Sequence, residues 1–217
     1  MGIFQILKYL STGIGLTFKL VPLVVLTTLI MGTILGMAQF KRIKIISQVI
    51  DLYILFMRGV PPLVVLMLLF FSFNLSSSYF TAYLGLSLYH TAYVAEIIRG
   101  VLLSVPYGQM EAGQSLGLSF WKIMLKIYIP QITIQAIPAL CGQYILVVKD
   151  TTLVSVVGAQ DVMVCARQLM AAYVNPIVVY FLVGLVYYFL CLVLELLARG
   201  FERKAKERYG KDNVAIA

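Results

Sequence analysis

The sequence predicts an all-α, polytopic membrane protein with five transmembrane helices, and three observations carry that prediction. The 217 residues are 61% hydrophobic and only 12% charged, whereas soluble domains carry about a quarter charged residues and an apolar share at or just below half. Charge-free intervals long enough to cross a bilayer, which takes about 20 apolar residues, recur along the chain. Basic residues collect in the short segments between those intervals, as they do beside the cytoplasmic ends of membrane helices.

The first span lies between Lys19 and Lys41, where Val21 to Ala38 is apolar apart from threonines. It is too long for a signal peptide and lacks a small-x-small cleavage site followed by a polar segment. The interval from Arg58 to Glu96 is split by "NLSSS", Asn74 to Ser78, into a second and a third span joined by a polar turn. A fourth lies between Lys126 and Lys149, and a fifth between Arg167 and Glu195. With an odd count, "KRIK" (Lys41 to Lys44), the segment carrying Arg99, Lys122 and Lys126, and the tail "RGFERKAKERYGK" all fall on one side. The connections at "NLSSS" and Val154 to Tyr173 carry few positive charges. This predicts an outside N-terminus and a cytoplasmic C-terminus, against which Lys8 and Lys19 weigh less than three clusters. The membrane domain is expected over 1–205 and a cytoplasmic tail over 206–217.

Composition also excludes function classes. Cys141, Cys165 and Cys191 stand alone in or beside apolar runs, without ligand spacing, and read as small core residues. The formal charge of +8 is explained by topology, with no aromatic-basic platform for nucleic acid. One histidine and scattered acids supply no convergent catalytic set. Paired repeats, usual in secondary transporters, are not visible, although an ion-coupled secondary transporter is the alternative that spans and intramembrane ions would allow. No GxxxxGK[ST] sequence occurs, so any nucleotide would be bound by another chain.

The stretch "GQMEAGQSLGLSFWKIMLKIYIP", Gly108 to Pro130, is the least membrane-like long segment before the C-terminus. Gly113 and Gly117 are four apart and, with Ala112, predict a small-residue face on a short helix that another protein could approach closely. Phe120, Trp121, Met124, Leu125 and Tyr128 then recur at helical spacing with Lys122 and Lys126 on another face, the pattern of an interfacial amphipathic helix. Pro130 marks entry into the fourth span.

At these residues the chain resembles the ABC importer permeases. "EAGQSLGLSFWKIMLKIYIP" is similar to their EAA loop, with Glu111, Ala112, Gly117, Ile127 and Pro130 matching and Gly113 and Ile129 replacing the family's second Ala and its Leu. "RGVPPLVVL" at Arg58, "AYVAEIIRG" at Ala92, "SVPYGQMEA" at Ser104, "IPQ" at Ile129 and "VVKDTTLVSVVG" at Val147 narrow the resemblance to polar amino acid permeases. Together these cover roughly half the chain in the expected order. "LYHTAY" and "CGQY" depart from the "LNSSAY"-like and "GNEF"-like strings of relatives.

The resemblance implies a type I importer fold with the EAA coupling loop at 104–130, in a bacterial cytoplasmic (inner) membrane. It implies a transport subunit that is not itself an enzyme, with no cofactor of its own and with ATP and Mg bound by a partner. That partner is a cytoplasmic ABC ATPase dimer docking on Tyr107, Gly108, Glu111, Ala112, Gly113 and Gly117. A second permease copy or a homologous permease and an extracellular or periplasmic amino-acid-binding protein complete the assembly in the lipid bilayer. The polar groups available to a zwitterionic cargo are Tyr89, His90 and Tyr93 on the third span, Gln143 on the fourth, and Lys149, Asp150, Thr151, Ser155 and Asp161 at its end and beyond. Each has a plainer reading: His90 as a hydrogen-bonded core residue, Lys149 and Asp150 as a structural pair, Asp161 as a loop acid. Asp161 as a partner for an amino group favours a basic or polar amino acid, with glutamine or cystine next.

Overall fold

The computed structural model describes residues 2–42, 44–73, 77–172 and 175–214, with side chains described as far as residue 207. Asn74 to Ser76 of the predicted polar turn, Tyr173, and residues 215–217 of the predicted tail lie outside the described residues. The described chain is helical: α1 (Ile3–Phe40), α2 (Lys44–Gly59), α3 (Pro62–Phe73), α4 (Ser78–Leu103), α5 (Gly108–Ser115), α6 (Phe120–Ile123), α7 (Ile129–Asp150), α8 (Val162–Ala171) and α9 (Pro176–Val214). A π-helical turn, Met124–Tyr128, joins α6 to α7, and a 3₁₀ segment, Thr151–Val157, follows α7.

By length and composition, Ile3–Phe40, Phe120–Val157 and Pro176–Glu207 suffice to cross a membrane, and the pair α2 and α3, bent by 106°, makes a fourth. The remaining predicted span, the third in chain order, is α4, whose 26 residues extend about 39 Å at 1.5 Å per residue. Its tyrosines, threonines and histidine make it the least apolar of the five. It tolerates them because it runs through the middle of the bundle, packed on α1, α2, α3 and α7, where those side chains meet protein and not lipid. Ser77 caps its start by accepting from the Phe80 amide at 3.3 Å.

The second span, placed after Arg58 by the sequence, starts earlier and is not one straight helix, since it takes in α2 as well as α3. With 12 residues, α3 reaches about 18 Å, too short to cross alone. Pro61 and Pro62, which lack amide donors, stop α2 after Gly59 and restart the chain at the 106° elbow. Pro130, expected to open the fourth span, lies instead inside a continuous helical run that starts at Phe120.

The seam between α1 and α4 is built on small residues. A Cβ on Gly32 would lie 2.5 Å from Val94 Cγ1 and 2.7 Å from Val94 Cβ, so the two backbones approach as only glycine permits. Gly32→Leu is therefore expected to overpack the seam and cost about 1 to 3 kcal/mol, measured as a lower unfolding temperature of the purified protein. An unchanged temperature would mean that α4 is not held at this spacing.

Candidate functional site

Two places gather the polar groups that the sequence singled out. The first lies at the heart of α4 and α7. Successive positions 143 and 150 fall on one face of α7, two turns apart, and both point at α4. Gln143 Nε2 donates to His90 Nδ1 at 2.8 Å, and Asp150 Oδ2 stands 3.3 Å from His90 Nε2. An amide nitrogen only donates, so Nδ1 accepts and the ring proton of neutral His90 rests on Nε2, toward Asp150. That approach is close but misaligned, leaving Nε2 without a formed hydrogen bond. Both His90 and Gln143 are buried, while about a quarter of the Asp150 side chain stays accessible (26%). Tyr89 continues the cluster, its hydroxyl 3.0 Å from that of Tyr93 one turn along α4.

The remaining predicted pathway residues are engaged elsewhere. Asp161 is fully buried and is no solvated loop acid; its Oδ1 accepts from the Val164 amide at 2.9 Å and caps α8. Ser155 is held by Arg167, which donates to its carbonyl at 2.7 Å and its hydroxyl at 3.3 Å. Thr151, fully buried, donates to the Val148 carbonyl at 2.7 Å. Lys149 turns away from Asp150 toward α9, lining a groove with Tyr187, Cys191 and Glu195. It forms no ion pair with Asp150 among the described residues.

The second place is the loop from Tyr107 to Ile129. Gly108, Glu111, Ala112 and Ser115 recur at i, i+3, i+4 and i+7 along α5 and are all exposed, giving a shallow outward face with one acid. Tyr107 and Leu116 flank it, 65% and 80% exposed. Two glycines that the sequence placed on this face serve other ends. Gly113 faces inward, where a Cβ would meet Ile123 Cγ1 at 2.8 Å and Cδ1 at 2.9 Å, so its smallness lets α5 lie on α6. Gly117 has φ +73° and open space around it. There it completes a Schellman turn, with Leu118 N–H bonding the Gly113 carbonyl at 3.0 Å and Gly117 N–H that of Gln114 at 2.9 Å. The predicted small-residue face is thus corrected to Gly108, Ala112 and Ser115 around Glu111.

Sequence reasoning missed a third feature, a cleft of about 1130 Å³ lined by the polar face of α2 together with Gln39, Arg42, Tyr93, Glu96 and Arg99. Lys44, Asp51 and Arg58 recur at intervals of seven on α2 and all line it. That heptad spacing was the available signal.

Comparison with known proteins agrees with this geometry. Residues 28–207 match the family described as binding-protein-dependent transport system inner membrane component. The arginine transport system permease protein ArtQ of Bacillus subtilis (strain 168) is 31% identical over 206 residues, covering 92% of this chain and 94% of that protein. The L-cystine transport system permease protein TcyB of the same organism is 32% identical over 205 residues, covering 92% and 87%. Among solved structures, an amino acid ABC transporter with histidines superimposes with a TM-score of 0.84 at 29% identity, covering 94% of this chain and 99% of that one. The MetNI methionine ABC transporter shares the fold, with a TM-score of 0.75 at 16% identity over 91% and 96% of the two chains. This chain, with its apolar helices and its exposed acidic loop helix, belongs to the family of binding-protein-dependent transport system inner membrane components.

Proposed function

We propose that the chain is the permease subunit of an ATP-driven importer of polar amino acids, turning the motion of a separate ATPase into alternating access. The observation that carries this reading is the superposition, over nearly the whole of both chains, on an amino acid ABC transporter. The family match does not favour the ion-coupled alternative. In this reading two ATPase subunits bind ATP and Mg and dock on the exposed face of α5, with Glu111 at its centre. A second permease copy or a homologous permease completes the pathway, and an external binding protein delivers the cargo. The N-terminus lies outside and the C-terminus in the cytoplasm, which puts α5 on the ATPase side. This chain breaks no bonds; closure of the ATPases would move the loop helices as rigid bodies and turn the cavity outward.

The cargo site is best supported at Tyr89, His90, Tyr93, Gln143 and Asp150. Asp150 takes over the role first read into Asp161, since it keeps an accessible carboxylate beside the pathway whereas Asp161 is fully buried and caps α8. One carboxylate suits an ammonium or a cationic side chain, so a basic or polar amino acid is the expected cargo, as the names of the arginine and cystine relatives also suggest. Uptake of radiolabelled arginine, cystine and glutamine by Asp150→Asn and Gln143→Ala complexes tests this. Loss of about 1.5 to 3 kcal/mol of charge-assisted binding should lower uptake by roughly tenfold or more, most for a cationic cargo in Asp150→Asn. Wild-type rates and selectivity in both variants would remove the cluster from the site.

A further inference from the structure

Arg58 closes α2 at the proline elbow and lines the cleft. Its guanidinium carbon sits 5.6 Å from the centroid of the Tyr93 ring. Its Nη1 stands 3.7 Å from Glu96 Oε1, beyond hydrogen-bond reach. Both oxygens of Glu96 are already taken by Arg99, at 2.5 and 3.1 Å, and the other carboxylate of the cleft, Asp51, accepts from Gln39. The Arg58 side chain makes no hydrogen bond among the described residues and is 45% exposed. Four cations, Arg42, Lys44, Arg58 and Arg99, line the cleft against those two acids, so it carries a net positive field. A cation between membrane-spanning helices must face water or a partner, not lipid. Within cation–π range of Tyr93 and lining the cleft, the guanidinium keeps its donors free for a carboxylate, which its planar fork suits. Tyr93 is hydrogen-bonded to Tyr89, whose ring lies against that of His90, so Tyr93 and Tyr89 connect Arg58 to the His90 cluster.

We infer that Arg58 is a carboxylate-docking residue on the cytoplasmic side of the pathway, receiving the α-carboxylate of the cargo as its ammonium leaves Asp150. The inference rests on the amino-acid reading above and adds a requirement to it: the permease itself discriminates an amino acid from its carboxamide. Because an external binding protein would impose its own selection, the test uses the permease–ATPase complex in nanodiscs without it. Binding of labelled L-arginine, L-glutamine or L-cystine is competed with the unlabelled amino acid and with its carboxamide, in zwitterionic lipid and again with phosphatidylglycerol added.

For the wild type the amino acid should displace the label at least about tenfold better than the carboxamide, as losing a charge-assisted hydrogen bond predicts, and equally so in both lipids. Arg58→Gln should bring that ratio close to one, and Arg58→Lys, which keeps the charge without the fork, should retain part of it. A wild-type ratio in Arg58→Gln would overturn the inference, as would equal weakening toward both competitors, the mark of a purely structural partner for Glu96. A ratio lost only with phosphatidylglycerol would assign Arg58 to a lipid phosphate and also overturn it. If the wild-type complex bound none of the labels, the inference would fail, while ATP-driven uptake by the same complex with its binding protein would leave the transport reading standing.

Discussion

Glu111→Lys should leave the permease in the membrane at normal abundance, strip the ATPase from it during purification and abolish ATP-driven uptake. Glu111 is exposed near the middle of the outward face of α5 and makes no ion pair or side-chain hydrogen bond among the described residues. Its replacement therefore breaks no ion pair or side-chain hydrogen bond of the isolated fold, only the modest favourable placing of an acid in the first turn of α5. Against a partner cleft that offers a basic group or backbone amides to the acid, a lysine costs about 2 to 5 kcal/mol when the contact is buried. Ala112→Trp, on the same face, should act alike by bulk. Gly117 is unsuited to this test: at φ +73° any side chain strains the Schellman turn, so loss of docking there would report the loop's shape and not its surface. Immunoblots of membranes, ATPase co-purification and vesicle uptake check the prediction. Retained docking and transport in both variants would reduce α5 to an interfacial anchor.

His90→Leu should produce the largest combined loss of stability and transport within the bundle. The change leaves the buried Gln143 amide without its acceptor, costing about 1 to 3 kcal/mol, and removes the neighbour of Asp150. The double variant His90→Leu/Gln143→Leu replaces both partners by apolar groups and should recover most of the stability. It should not recover uptake, because the polar surface offered to the cargo is gone. Thermal unfolding and uptake measured on the same preparations separate the two effects. If the double variant regained transport along with stability, His90 and Gln143 would be core packing only.

The sequence was most informative where one physical constraint dominates. The lipid solvent demands apolar helices, so α1, α7 and α9 were visible as charge-free intervals, and α4 survived as a span because Ser77 and the polar turn mark its start. The elbow between α2 and α3 was hidden because the basic residues at 41–44 and Arg58 set the start of the second span after Arg58 and left α2 in a connection, although Lys44, Asp51 and Arg58 share a face that lines a cleft. The short helix α8 was hidden inside a presumed connection, although Asp161 followed by "VMVCARQLMA" is a cap and an apolar run. Within the candidate site, spacing along one helix correctly grouped Tyr89, His90 and Tyr93, but spacing says nothing about which side of α7 faces α4. For that reason Lys149 and Asp150, adjacent in sequence, part company in space. The glycines of the loop show the same limit: Gly113 and Gly117 are one turn apart, yet one is small for packing and the other for its backbone.

Reconstitution tests the central claim most directly. The tagged chain, purified with the subunits that accompany it, is placed in proteoliposomes with ATP and Mg in the lumen and the binding protein outside, and amino acid uptake is followed with and without ion gradients. The account predicts an ATPase among the co-purified subunits and accumulation that requires luminal ATP but no sodium or proton gradient. Accumulation by this chain alone, driven by an ion gradient in the absence of ATP, would contradict it.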